Sequence, residues 1–429
     1  MTAVAVAHPP TSVRYLPRNR VDQLAHQIAS DFRLAEAAAK QPDIEYQPNE
    51  EKYAARTARR LAEDPSLPKS SLPDGFPEKL ESALVWEGMD FRDEKEWVYE
   101  LSPNQLKEID DAVKYFRSLG KPLGHLSPST FPLPTLGPIL RNLSKELHSG
   151  RGFFVLRTIP VDNYTREDNV AIYAGVSSYV GELRGVQDQN RNGVLLHIKD
   201  LTPTHAKEII GTPAYTTDRQ VFHTDVGDIV ALFALDIASE GGTSRISSTW
   251  KAYNELAATR PDLIKTLSEP WPCDAFGGTP AYIPRPPLYY HDNKVIVQYS
   301  RRTFTGFLGL PRSPDIPPIT EAQAEALDAL HFMGERFNLG LNFQKGDIQY
   351  INNLGLFHSR DAFTDTPDHP RHLLRLWLRN EELAWKTPKE LQTQWQRLYS
   401  ATADEQHFSL EPTTVNLLPL VMAQKAGLE

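Results

Sequence analysis

His223-Thr224-Asp225 sets an imidazole and a carboxylate two residues apart, and side chains at i and i+2 of a β-strand share a face. A nitrogen donor and an anionic oxygen donor side by side are two members of the two-histidine, one-carboxylate set that holds non-haem Fe(II) and leaves coordination positions open. Histidine-x-aspartate is a weak pattern alone, so its meaning depends on a third donor distant in sequence. His358 is the best candidate, because it follows the Gly346-Asp347 turn and a mixed strand. A returning strand of an opposite sheet would bring it close. The other histidines read more plainly. His331 lies in a helix with a core stripe, His291 at a hairpin tip, and His369 and His372 beside a proline turn. His197 reads as a hydrogen-bonded sheet histidine, with a direct role in the site as the alternative.

Arg371 and Arg375 come next. If one strand covers both, their even spacing puts two guanidiniums on one face among Leu373, Leu374, Leu376, Trp377 and Leu378. Arginine is rarely buried unpaired, so at least one should meet an anion. A bidentate fork suits the carboxylate of a dicarboxylic cosubstrate; internal ion pairs with Asp or Glu are the alternative. Tyr282, Arg285 and Tyr289 either border a pocket or pack loops.

The elements that must position these groups are short strands with turn signals and a few helices from Phe153 onward, the pattern of a double-sheet jelly roll. Strands and helices do not alternate regularly, which argues against a doubly wound parallel sheet. The fold class expected is therefore α+β, a double-stranded β-helix core with flanking helices. Residues 76–400 form this domain. Residues 1–75 read as peripheral, with helical patterns over 21–40 and 50–63 and a turn-rich linker, and 401–429 as a polar tail. Ser102-Pro103-Asn104-Gln105 and Thr320 with Gln323 are capping boxes that start helices. Residues 289–297 read as a hairpin with Asp292-Asn293 at its tip.

Composition removes several function classes. The net charge is -9 with both signs scattered along 429 residues, which lacks the clustered basic footprint of a nucleic-acid binder. One cysteine, Cys273, excludes an intrachain disulfide framework and a Cys-rich zinc site, and suits a reducing, cytoplasmic setting. No apolar run approaches a membrane span. The Ala/Val segment at the start precedes the first basic residue, the reverse of a secretory signal. Arg14, Arg18 and Arg20 would suit an organelle presequence, but Asp22 and Asp31 argue against one. A small-molecule substrate is the partner expected; self-association stays open.

Taken together, His223-Thr224-Asp225, the Gly241-Gly242-Thr243-Ser244 turn, Gly346-Asp347, His358 and the Arg371/Arg375 pair resemble the taurine dioxygenase (TauD/TfdA) family of Fe(II)/2-oxoglutarate-dependent dioxygenases. The resemblance runs in order over residues 152–379 and is closest to the fungal branch, whose Trp-rich entry segment is like residues 86–99. It implies Fe(II) on His223, Asp225 and His358, with 2-oxoglutarate and O2 as cosubstrates. It also implies that Arg371 pairs with the distal carboxylate, helped by Ser244 or Thr243, and that Arg375 assists there or holds an anion of the prime substrate. Asp225, which halogenating relatives lack, disfavours halogenation. The reaction implied is hydroxylation by default, with desaturation or ring closure as variants, of a small carboxylate-bearing amino acid or secondary-metabolism intermediate. Two competing readings are a Zn2+ hydrolase at the same three residues and a non-catalytic jelly-roll binding protein.

Overall fold

The segment Ile229–Asp236 is apolar at every position through Leu235, which leaves a strand no solvent face and requires cover on both sides. The computed structural model describes residues 41–188 and 192–412 and supplies that cover. The helix expected over 21–40 lies outside the described residues. Strands β1 (Val98–Glu100), β2 (Phe153–Arg157), β3 (Leu183–Arg184), β4 (Leu196–Lys199), β5 (Gln220–His223), β6 (Ile229–Asp236), β7 (Ser244–Ser248), β8 (Leu339–Leu341), β9 (Ile348–Asn352), β10 (Leu356–Arg360) and β11 (His372–Arg379) make two sheets. The larger runs β1-β2-β9-β6-β11-β3, with β4 also on β11; the smaller runs β8-β7-β10-β5. Among these ladders β1 pairs with β2 in parallel, and the ladders through β9, β10 and β11 are antiparallel.

Period-two alternation divides the interior. Phe154, Leu156, Phe233, Tyr350, Leu374 and Leu376 meet helices α2 (Pro103–Ser118), α3 (Leu136–Ser149) and α4 (Arg166–Ser177), which follow α1 (Glu50–Glu63) in the chain. The opposite residues of the same strands, Phe153, Val155, Val230, Leu232 and Ile351, share a second core with Phe222, Ile246 and Leu341 of the smaller sheet. Beyond that sheet lie α5 (Thr249–Thr259), α6 (Pro261–Ser268) and α7 (Glu321–Phe337). The result is a mixed α/β fold with a strand-rich core. Ser102 and Thr320 each accept from the third residue of the following helix while Gln105 and Gln323 bond back, so both capping boxes form. At the 288–297 hairpin Asp292 and Asn293 take φ of 50° and 59°, as a tight two-residue turn requires.

Residues 42–75 pack on the rest of their unit. Residues from Pro42 onward belong to one compact unit. Helix α1 docks on α7 through charge beside one aromatic stack, Tyr53 on Phe332 at 5.1 Å: Arg56 Nη1 donates to Asp328 at 2.6 Å, Arg59 to Glu321 at 2.6 Å, and Arg60 pairs with Glu325. Asp328 also receives Arg301 at 2.6 Å. Arg56 and Arg301 donate in addition to the carbonyls of Asp43 and Glu45, which seats the strap just before α1.

His197 and His372 prove to be sheet residues bonded to one another. The His197 Nε2–H donates to the Ser409 carbonyl at 2.8 Å, so its Nδ1 accepts from His372 Nε2–H at 2.8 Å. His372 Nδ1 then accepts from Arg166 at 3.4 Å. Both rings must be neutral in this chain. Burial, with His197 and nearby cations behind it, pushes His372 down to about 2, and burial pushes His197 down as well. The unfolded chain binds these protons near pH 6.5 and the folded chain refuses them, so stability present above that pH is lost as pH falls below it. Thermal unfolding followed from pH 7.5 to 5 should give a falling Tm, steepening toward about 1.4 kcal/mol per pH unit for each imidazole kept neutral. His372→Gln should lessen that slope, and an unchanged slope would refute the assignment.

Candidate active site

His223 ends β5 and His358 lies in β10, directly paired across the ladder, with ring centroids 4.1 Å apart. Along β5, Phe222 points at α7, against Gly334, while Val221 and His223 point into the cleft. Asp225 lies just beyond the strand rather than in it. Its position comes from Asn353, a fully buried side chain that accepts from the Asp225 N–H at 2.7 Å and donates to the carbonyls of Asp225 and Gly227 at 2.7 and 2.8 Å. Thr224 exchanges bonds with the Tyr299 backbone at 2.8 Å each. Gly227 turns the chain at φ +99°, where an added Cβ would come within 2.9 Å of the Tyr399 hydroxyl.

These supports bring donor atoms of His223, Asp225 and His358 within 4.8 Å of one another. His223 Nε2 is 3.7 Å from Asp225 Oδ1 and His358 Nε2 is 3.9 Å from Oδ2, too far for hydrogen bonds. His223 Nδ1–H donates to the Val221 carbonyl at 2.9 Å, which leaves Nε2 a bare lone pair that accepts from the Gln220 amide at 3.1 Å. Burial lowers His223, and burial with His223 beside it pushes His358 down to about 3, so both rings are neutral. Burial opposes ionisation of Asp225 too, but Arg375, with the two histidines, holds it at about 2. Asp225 Oδ2 accepts from Arg375 Nη1 at 2.9 Å and Trp377 Nε1 at 3.0 Å. Two neutral nitrogen donors and a buried, ionised carboxylate with Oδ1 unengaged by these donors form a set that fits a divalent ion of the Fe(II) type.

Two cavities meet here. The larger, about 300 Å³, includes Tyr46, Gln187, Gln220, His223, Asp225, Arg302 and Arg375 in its walls. The narrower, about 30 Å³, lies between the sheets and includes Ser244, His358, Arg360 and Arg371; Gln220, Ala214 and Arg375 border both. Arg371 is buried, packs 5.4 Å from the Phe363 ring centroid, and lies against Gly242, whose missing Cβ would be 3.4 Å from its Cδ and Nε. No carboxylate pairs with its guanidinium among the described residues, and burial with Arg360 nearby pushes it down to about 9. An uncompensated buried cation at the end of a cleft fits a carboxylate ligand.

The expected hydroxyls separate. Ser244 faces the narrow cavity and donates to Gln349 Oε1 at 2.8 Å, whereas the Thr243 methyl lies on the Gly340 side. Arg375, expected as a cosubstrate or substrate clamp, donates to Asp225 Oδ2 and, from Nε, to Gln187 Oε1 at 2.8 Å. Arg285 borders the larger cavity with Cys273, while Tyr282 and Tyr289 do not. Sequence reasoning missed Asn353, Gln187, Trp377, Arg302 and Tyr46. Of these only Trp377, two residues past Arg375 on the same strand face, carried a readable signal.

Residues 118–377 match the taurine catabolism dioxygenase TauD, TfdA family. The taurine hydroxylase-like protein SAT17 of Stachybotrys chartarum (strain CBS 109288 / IBT 7711), a fungal relative, is 38% identical over 356 residues, 81% of this chain and 91% of the relative. The FR-33289 synthase of Streptomyces rubellomurinus (strain ATCC 31215) is 26% identical over 328 residues, 72% of this chain and 92% of the relative. Among solved structures, asparagine oxygenase in complex with Fe(II), 2S,3S-3-hydroxyasparagine and succinate has the same fold, with a TM-score of 0.52 at 15% identity over 66% of this chain and 93% of that one. The chain belongs to the TauD/TfdA family and is a non-haem Fe(II)/2-oxoglutarate-dependent oxygenase. That assignment sets aside the hydrolase and non-catalytic readings.

If Asn353 holds the aspartate loop in its ligating pose, Asn353→Ala should weaken Fe(II) binding by about 10- to 100-fold, the usual effect of losing a supporting contact behind a ligand. Anaerobic calorimetry on a variant with a native circular dichroism spectrum checks this, and wild-type affinity would refute it.

Proposed function

We propose that the protein inserts oxygen into a C–H bond of a small, oxyanion-bearing, amino-acid-like substrate, with His223, Asp225 and His358 as the iron ligands and Arg371 with Ser244 as the seat of the distal carboxylate of 2-oxoglutarate. The two sheets are read as the walls of a jelly roll, with the metal set at its open end. The observation that carries the reading is the pairing of an unprotonated His/Asp/His set with an acid-free buried guanidinium across one cleft.

Bound Fe(II) supplies the oxidative decarboxylation of 2-oxoglutarate to succinate and CO2, coupled to oxidation of the substrate. The protein's part is positional and electrostatic. Arg375 and Trp377 keep Asp225 ionised and hold Oδ2, which leaves Oδ1 beside His223. Val221 and Gln220 fix the His223 tautomer. Arg371 and Ser244 orient the diacid, and the apolar walls of Leu232, Leu373 and Ile198 keep water from it. Hydroxylation is the outcome this arrangement supports first. The name of the fungal relative, which refers to hydroxylation of taurine, an aminosulfonate, points to the same substrate class. No helix among the described residues is long and apolar enough to cross a membrane, and the buried thiol of Cys273 suits a reducing, cytoplasmic setting.

Purified protein should form succinate from 2-oxoglutarate only with Fe(II) and O2 present, and Zn2+ should inhibit. His223→Ala should abolish this turnover in a folded protein. Arg371→Ala should raise the KM for 2-oxoglutarate by about 10-fold or more, the loss of a charge-assisted pair. Succinate formation by His223→Ala at the wild-type rate would end this reading.

A further inference from the structure

Resting on the oxygenase reading, we infer that Arg302, completed by the Tyr46 hydroxyl, is the receptor for the oxyanion of the prime substrate. Arg301 and Arg302 are adjacent in the single helical turn Arg302–Thr305 and its cap, yet they have different partners. Arg301 is buried against Asp328 at 2.6 Å and the Glu45 carbonyl at 2.6 Å, which pins the turn to α7 and to the strap before α1. Arg302 borders the larger cavity instead. It donates to the Gly211 carbonyl at 2.5 Å and lies 5.5 Å from the Phe276 ring centroid, but no carboxylate pairs with it among the described residues.

The remaining cations of that cavity are occupied differently. Arg375 is committed to Asp225, and Arg285 donates to Gln394 at 2.8 Å and lies beside Cys273. Arg285 also lacks a carboxylate partner among the described residues, but its charge lies toward Cys273, whereas Arg302 presents a cation without an acid on the Asp225 side, close enough to Asp225 to feel its field. A guanidinium stacked on an aromatic and fixed by one backbone carbonyl keeps its other N–H groups for a planar or tetrahedral oxyanion. Burial depresses its protonation, and an anionic ligand would relieve that cost. Tyr46 enters the same cavity from the strap, edge-on to Phe307 at 4.7 Å and within electrostatic reach of Arg302. It lies before residues 118–377 that carry the family match, so this part of the recognition surface belongs to the strap rather than to the shared core.

The test is anaerobic calorimetry on the protein loaded with Fe(II) and saturating 2-oxoglutarate, so that Arg371 is already occupied. The probes are taurine and β-alanine, an aminosulfonate and an aminocarboxylate, against ethanolamine and 3-aminopropanol, their neutral-ended counterparts. The anions should bind at least about 10-fold tighter than the alcohols, the range for a charge-assisted hydrogen-bonded pair. Arg302→Gln should erase that preference, Arg302→Lys should keep part of it, and Tyr46→Phe should weaken it severalfold. The better of the two anions identifies a sulfonate or a carboxylate receptor. No preference for the anions, including no binding by any probe, or a preference unchanged in Arg302→Gln, overturns the inference. Failure of 2-oxoglutarate itself to bind would count against the oxygenase reading instead, while the four probes still report on Arg302.

Discussion

A carboxylate removed from water stays ionised only where donors and cations meet it, and the Asp225 side chain is the place where this fold satisfies that demand. Arg375 and Trp377 both reach Oδ2. They do so because alternation on β11 turns residues 375 and 377 to the cleft while Leu374, Leu376 and Leu378 fill the opposite core. The other oxygen is thereby left beside His223. A one-residue slip of β11 against β6 would move both donors to the helix side and strand the charge. The register of the large sheet and the ionisation of the site are one constraint.

How much of this was legible follows from the range over which each contact acts. The caps at Ser102 and Thr320, the Asp292-Asn293 turn and the alternation of β11 are local, and local patterns announced them. The pairing of His223 with His358 was legible only as a possibility, since it needs strands far apart in the chain to meet, but histidine types at the right strand positions narrowed it. Asp225 was harder. It was expected on the strand face with His223, yet it sits past the strand end, where Asn353, 128 residues away, dictates its pose. The Arg375–Asp225 pair was hidden for the same reason: the acid lies 150 residues earlier, and nothing in the spacing says which arginine meets it.

Helix α1 exposes a second limit of sequence reading. A helix with charged residues on most faces reads as a solvated surface element. Here that charge is the docking surface, because α7 offers Glu321, Glu325 and Asp328 in matching positions. Breaking such a network by removing one partner leaves an uncompensated buried charge, so the network specifies a single seating for the strap. Apolar burial would tolerate small shifts. Ionic seating delivers the Tyr46 hydroxyl to one place in the cavity wall.

The arginines around the cleft carry this logic furthest. Arg301, Arg360, Arg371, Arg375 and Arg302 are alike as side chains, and each is buried or borders the cavities. Their surroundings sort them. Arg301 has Asp328 and Arg375 has Asp225, so both are neutralised inside the protein. Arg360 is wrapped by the carbonyls of Pro213, Thr216 and Asp218 and stacks on Phe363, which engages both of its Nη groups without an acid. Arg371 and Arg302 lie in different cavities with no acid paired to either among the described residues. Cations kept out of water with no acid and with N–H groups facing a cavity are expensive for a folded chain to keep. Two cavities meeting at one His/Asp/His set, each bordered by such a cation, match a reaction in which two separate anions are held on either side of the same centre.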